Sequence, residues 1–246
     1  PITGRFKFRY YTLEPTATEL TGKAYRTQIR MVIENEKRDS LSINVMLYYP
    51  ANAIKRPVPF FTWLNYGNHT LLNDSLIEYT PGAFSSVERK QRNIYSRRIP
   101  IEDIINAGCG VITADYEDFC PDNNAAFRSE AAPFYGLHPD STGAISIWAW
   151  AHSRLLDLAL QQKVFDARKA AVMGHSRLGK AALWTAVTDE RFQFIFANES
   201  GTGGARLLHH YSPGAESIAA ITQTFPFWFC KNYQQYAGKD TSLPFD

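Results

Sequence analysis

Apolar and polar residues alternate along Arg26–Glu34 and again along Leu41–Tyr49, with the polar stretch Asn35–Ser40 between them. A period of two belongs to a strand with one face on a core, so these runs predict an antiparallel hairpin. Further on the pattern changes. Val58–Leu64 and Gly110–Asp115 are short, nearly continuous apolar runs, which predict buried strands. Pro100–Ala107 predicts a helix that stops at Gly108. Across Thr142–Gln161, Ile145, Trp148, Ala149, His152, Leu155, Leu156 and Ala159 recur at helical spacing. A strand at Ala170–Met173, a helix at Leu178–Thr188 and a buried strand at Phe192–Ala197 follow. Strands alternating with helices predict an α/β fold whose sheet is mostly parallel and covered on both faces. Residues 71–98 are polar and mixed and read as a surface excursion; beyond Glu199 the pattern is helix and loop, with no further strand. No repeat, low-complexity run or linker divides the chain, so residues 1–246 read as one domain.

Composition narrows the partners. With 45% hydrophobic and 20% charged residues, the chain has an ordinary globular balance. A net charge of +2 gives no electrostatic case for nucleic acid or an anionic membrane surface. No apolar run reaches the roughly 18 residues of a membrane helix. The 13 Tyr, 16 Phe and 5 Trp are on the high side; such a surplus fills cores more often than it lines carbohydrate grooves. Cys109, Cys120 and Cys230 are odd in number, match no metal motif and leave the compartment undecided. The strand expected between Cys109 and Cys120 holds them too far apart to bridge easily.

Chemistry concentrates in Ala170-Ala-Val-Met-Gly-His-Ser-Arg-Leu-Gly-Lys-Ala-Ala-Leu183. A short strand, a sharp turn at Gly174-His175-Ser176 and a helix opened by Leu178-Gly179-Lys180 put the Ser176 hydroxyl on a strained strand-to-helix turn. Backbone N–H groups point at the same spot. The strand at Phe192–Ala197 ends in Asn198-Glu199-Ser200-Gly201, and a carboxylate at the end of a neighbouring strand is where a triad acid belongs. A serine hydroxyl needs an imidazole to take its proton and a carboxylate to orient that imidazole. The blander readings are local: Ser176 as a helix N-cap, Glu199 as a buried strand-end carboxylate, Arg177 and Lys180 as solvated first-turn side chains. Cations near a helix N-terminus oppose its dipole, which favours a functional reason for the last two.

Gly174-His-Ser-Arg-Leu-Gly-Lys180 departs from G-x-S-x-G and resembles the glucuronoyl esterases of carbohydrate esterase family 15. Leu64-Asn-Tyr-Gly-Asn-His-Thr70, Trp148-Ala-Trp-Ala-His-Ser-Arg154, Asp189-Glu-Arg-Phe192, Asn198-Glu-Ser-Gly-Thr-Gly-Gly204, Phe225-Pro-Phe-Trp-Phe-Cys230 and Leu243-Pro-Phe-Asp246 resemble family landmarks in the same order. The resemblance implies a three-layer α/β/α sandwich of the α/β-hydrolase type. It implies a serine esterase, without cofactor, that cleaves the ester between 4-O-methylglucuronate of glucuronoxylan and a lignin alcohol, outside the cell or in the periplasm. Ser176 would be the nucleophile, Glu199 the triad acid and Arg177 an oxyanion-hole donor. Lys180 and Glu216 would contact the sugar. In the family the catalytic His and a sugar-binding Trp lie beyond the Leu-Pro-Phe-Asp landmark, on which this chain closes. The expectation is therefore a chain truncated at both ends, without the last strands of the sheet, whose general base comes from a further polypeptide segment. Its opening at Pro1 fits a processed or internal piece. A carbohydrate esterase of the acetyl-xylan type and a non-catalytic hydrolase-fold module that binds carbohydrate are the alternatives.

The histidines offer no better base. His175 adjoins the nucleophile and its side chain points elsewhere. His152 falls on the apolar face of the long helix and reads as a core histidine with a hydrogen-bond partner. His69 reads as fixing the loop after an early strand; His138, His209 and His210 read as structural or exposed. The acidic stretch Asp115–Asp122 lacks a metal-ligand spacing and reads as a solvated loop. Asn68-His-Thr70 and Asn73-Asp-Ser75 are glycosylation sequons if the host is eukaryotic.

Overall fold

The structure, a computed structural model, describes residues 2, 4–14, 16–67, 77, 84, 99–138, 140–210 and 214–244. His69 and both sequons lie outside them, as does all of the 71–98 stretch except Ile77 and Phe84, which are buried. Eight strands form one sheet: β1 (Lys7–Thr12), β2 (Ala17–Glu19), β3 (Ala24–Glu34), β4 (Ser40–Pro50), β5 (Val58–Asn65), β6 (Gly110–Asp115), β7 (Phe165–His175) and β8 (Phe194–Asn198). Their order is β1-β3-β4-β6-β5-β7-β8, with β2 also on β3. The expected hairpin is β3–β4, in register from Ala24 opposite Pro50 to Glu34 opposite Ser40.

The sheet is mixed, not mostly parallel. The pairings β1–β3, β2–β3, β3–β4 and β4–β6 are antiparallel; β5–β6, β5–β7 and β7–β8 are parallel. Tight turns allow only antiparallel neighbours, and helices begin to separate the strands only after β5. Strands β1 and β2, unexpected from the pattern, hydrogen bond to the outer edge of β3.

Helices cover both faces. α1 (Ile101–Asn106) buries Ile101 and Ile105 against Met46, Tyr48 and Val111 on one face. On the other, α2 (Ala144–Ala159) and α3 (Arg177–Thr188) pack against each other, and Trp148, Leu155, Leu156, Leu178 and Ala182 join Phe60, Leu64, Ile112 and Val172 in the larger core. A last short helix, α4 (Ile218–Thr224), is capped by the Ser217 hydroxyl. β8 is not the buried strand expected: Phe194, Ile195 and Phe196 are 56%, 42% and 47% exposed, because β8 ends the sheet among the described residues. All three cysteines are free thiols, Cys120 fully buried.

α2 starts where it does for a tertiary reason. Gly143 precedes it, and a Cβ there would lie 2.4 Å from the Trp228 carbonyl oxygen. That close approach lets the amides of Ala144 and Ile145 donate to the carbonyls of Phe227 (2.9 Å) and Trp228 (3.1 Å), satisfying donors that a helix start otherwise leaves open. The segment around Trp228 is thereby locked to the helix beside α3.

His152 is the core histidine expected. Its Nδ1 lies 2.9 Å from the Thr62 hydroxyl, its Nε2 is buried without a partner, and burial pushes its pKa down to about 3. In the unfolded chain the ring takes a proton near 6.5. From pH 6.5 down to about 3 the unfolded state therefore binds more protons, and stability falls by up to about 1.4 kcal/mol per pH unit. Urea unfolding at pH 7 and 5 is expected to show a steeper loss in the native protein than in His152→Gln, by about 2 kcal/mol. Equal losses would mean that the folded core accepts the proton.

Candidate active site

The parallel strands β5, β6, β7 and β8 end together, with Asn65 beside Asp115 and His175 beside Asn198. The candidate residues gather at this edge. β7 runs into α3 through Ser176, at φ 57° and ψ −123°. A non-glycine residue in the left-handed region costs on the order of 1–3 kcal/mol and persists only where its surroundings impose it. Here the imposing contacts are close. A Cβ on Gly174 would fall 1.9 Å from the Leu178 carbonyl oxygen, so only glycine lets the first turn of α3 lie so tightly on the strand. The Ser176 amide donates to the Asn198 carbonyl at 2.9 Å, and Tyr66 Oη donates to the His175 carbonyl at 3.1 Å. Gly179 lets α3 approach the end of β8: a Cβ there would lie 2.9 Å from the Asn198 carbonyl oxygen.

Ser176 is half-buried, and its side chain makes no capping hydrogen bond. The N-cap reading fails on that bond and on the backbone angles, since a capping serine has an extended backbone. Glu199 directly follows Asn198 at φ 46°. With His175 and Asn198 in register, Ser176 and Glu199 leave adjacent strands side by side, at a strand spacing of about 4.8 Å. Glu199 is exposed, so it is not the buried strand-end carboxylate of the blander reading.

Arg177 and Lys180 are not solvated side chains. Lys180 is 5% exposed and its Nζ lies 5.7 Å from the centre of the Trp228 ring. Burial, chiefly, pushes its pKa below the ordinary lysine value; Glu216 opposes that shift and Arg177 adds to it. Glu216 is exposed, and a Cβ built on Gly201 would come within 3.6 Å of Lys180 Nζ and 3.9 Å of Glu216 Oε2. Arg177 pairs with Asp122 and lies over the Trp228 ring at 4.8 Å. Ser176, Glu199, Arg177, Lys180 and Glu216 thus surround one end of α3.

Asp122, Tyr116 and Trp228 also belong to the site and carry no local signal. Asp115 caps the one-turn helix Tyr116–Phe119 by accepting from the Glu117 amide at 3.0 Å. The stretch after it turns inward, so it is not the solvated loop expected: Asp118 is 4% exposed and the Asp122 side chain 5%. Asp122 joins Tyr116 and Trp228, 106 positions later, in one cluster with Arg177. No group of three or more metal-binding side chains occurs among the described residues. Among those residues no imidazole is hydrogen bonded to Ser176 Oγ: His152 is held by Thr62, His175 Nδ1 pairs with the Asn198 side chain at 3.0 Å, and His209 Nε2 meets the Leu243 carbonyl at 2.9 Å.

Residues 93–246 match the family model described as glucuronyl esterase, fungi. The chain belongs to the glucuronyl esterase family. A carbohydrate esterase of an unknown prokaryotic organism is 36% identical over 245 residues, 92% of this chain and 55% of that protein. A 4-O-methyl-glucuronoyl methylesterase of Podospora anserina is 29% identical over 152 residues, 58% of this chain and 31% of that one. A solved glucuronoyl esterase from Solibacter usitatus superposes with a TM-score of 0.80 at 33% identity, covering 98% of this chain and 63% of its own. The mixed sheet with helices on both faces is therefore the α/β-hydrolase-type architecture of these glucuronyl esterase relatives. The chain spans about 55–63% of the length of the first two relatives that it matches nearly end to end. No helix among the described residues is long and apolar enough to cross a membrane.

Proposed function

We propose that this chain is the nucleophile-bearing part of one catalytic domain of a secreted or periplasmic glucuronoyl esterase. It cleaves the ester between 4-O-methylglucuronate of glucuronoxylan and lignin alcohols. The observation that carries this reading is Ser176: a hydroxyl spent on no cap, held at a strained turn at the start of a helix, in a chain of the glucuronyl esterase family. Family relatives are named 4-O-methyl-glucuronoyl methylesterases, and one solved relative, a glucuronoyl esterase variant from Sporotrichum thermophile, holds methyl 4-O-methyl-β-D-glucopyranuronate.

In the proposed reaction Ser176 Oγ attacks the ester carbonyl while an imidazole takes its proton, and Glu199 orients the imidazole. The oxyanion of the tetrahedral intermediate accepts from the Arg177 amide, which as the first helical residue has no acceptor within the helix, and from the Arg177 guanidinium. Collapse expels the alcohol and leaves a glucuronoyl ester on Ser176, which water then hydrolyses by the same route. The base belongs to polypeptide outside residues 1–246, together with the tryptophan that completes the sugar site. The exposed apolar side chains of β8 support such added cover. Acyl transfer of this kind calls for no cofactor. Because an ester carries no charge, Lys180 and Glu216 read sugar hydroxyls.

The test is acylation. On the protein that carries this chain, mass spectrometry after rapid quench with an aryl glucuronate ester is expected to find a glucuronoyl increment on the Ser176 peptide; hydrolysis with no such increment rejects the mechanism. Specificity is tested separately. Lys180→Ala should lower kcat/KM on glucuronate esters about 30- to 100-fold more than on acetyl esters, the equivalent of one charged hydrogen bond of about 2–3 kcal/mol. Equal losses on both would remove Lys180 from sugar recognition.

A further inference from the structure

Asp122 lies beneath the Arg177 side chain, and its two carboxylate oxygens have different partners. Oδ1 accepts from Trp228 Nε1 at 2.8 Å. Oδ2 accepts from the Tyr116 hydroxyl at 2.9 Å and pairs with Arg177 Nη1. The Trp228 ring is the surface on which the guanidinium rests, 4.8 Å from its centre, and Phe225 stacks on that ring at 3.7 Å with 3° between the planes. One carboxylate therefore grips both the guanidinium and the ring beneath it. An arginine on a flexible stem gains catalytic use only when its donors are fixed before charge develops, because preorganised donors need no rearrangement as the oxyanion forms. With Nη1 engaged and one face on Trp228, the guanidinium retains a buried Nε with no hydrogen-bond partner.

We infer that Asp122 is a positioning residue that sets the Arg177 guanidinium where it stabilises the oxyanion. The inference rests on the esterase reading above. Asp122 is assigned a positioning role and not that of the triad acid because both of its oxygens already engage donors: Trp228 on Oδ1, and Tyr116 and Arg177 on Oδ2. Tyr116, whose hydroxyl is held protonated by burial, and Trp228 act through the same carboxylate.

Asp122→Asn removes the charge, keeps the shape and turns one acceptor into a donor facing donors. It is expected to lower kcat about 10- to 100-fold, less than the roughly 100- to 1,000-fold lost when an oxyanion donor is removed outright, with KM changed less than about twofold. The loss should be equal on glucuronate and acetyl esters, since both form the oxyanion. In an Arg177→Gln background, adding Asp122→Asn should cost less than about twofold further. Full multiplication of the two losses, or a loss that appears in KM, overturns the inference and leaves Asp122 a structural residue. If Asp122→Asn does not fold, Tyr116→Phe decides: a fall of about threefold or more in kcat that vanishes in Arg177→Gln is expected, and an unchanged kcat overturns the inference. A wild-type protein as inactive as Ser176→Ala would instead reject the esterase reading itself.

Discussion

Replacing Ser176 by alanine is expected to lower ester hydrolysis at least ten-thousand-fold while leaving stability almost unchanged. Loss of the nucleophile in a serine hydrolase costs on the order of a million-fold in kcat, and what remains comes from the oxyanion site and binding. Stability is spared because the hydroxyl caps nothing: the Ser176 side chain holds no hydrogen bond at the start of α3, and alanine meets the same backbone strain at φ 57°. The pairing of results is what discriminates. Titration with glucuronic acid is expected to give the same affinity in Ser176→Ala as in the wild type, because Lys180 and Glu216 are untouched. Hydrolysis that survives the substitution would move the nucleophile elsewhere. Sugar binding without hydrolysis in both proteins would support a carbohydrate-binding module.

Gly174→Ala is the second large effect, and it acts through packing. The added methyl carbon would lie 1.9 Å from the Leu178 carbonyl oxygen, 2.3 Å from its carbon and 2.8 Å from the Gly179 amide nitrogen. All three atoms are backbone, so no rotamer change relieves the clash and α3 must move off β7. That helix buries Leu178, Ala181, Ala182 and Thr185. A loss of about 3 kcal/mol or more is expected, a fall in Tm of about 10 °C for a chain of this size. Activity should fall further than stability, since a displacement of about 1 Å at a reacting group costs on the order of a hundredfold. Gly136→Ala is the control: nothing lies within 4 Å of its Cβ position, and only its φ of 63° opposes the substitution. A Gly174→Ala protein as stable as Gly136→Ala would show that the turn holding Ser176 is looser than its contacts imply.

The local elements were legible because each rests on neighbours in the chain. Gly110–Asp115 is β6 to the residue, and the seven periodic positions of the long helix are all buried in α2. The elbow was legible for the same reason: Gly174, Ser176 and Gly179 lie close together in the chain, and the close approach at Gly174 is to the nearby Leu178, although that at Gly179 is to the distant Asn198. A candidate for the triad acid could be named because strand ends in a parallel sheet converge, and Glu199 does follow the strand paired with β7. β8 misled because Phe194-Ile195-Phe196 is apolar whether or not anything covers it; exposure depends on neighbours in space.

The acidic stretch misled for a related reason. Carboxylates in sequence look solvated, and nothing near Asp122 announces that a tryptophan 106 positions later and an arginine on another element will converge on it. What the sequence by itself determined is the run of strands and principal helices from β3 to β8, the strained serine turn between strand and helix, and the family to which the chain belongs. Those depend on period, glycine placement and motif, all short-range properties. What only the tertiary structure decided is the antiparallel pairing beyond the β3–β4 hairpin, the exposure of β8 and the Asp122–Arg177–Trp228 cluster. These depend on which distant surfaces meet, and that is settled by packing and by the satisfaction of buried polar groups, which local patterning does not encode.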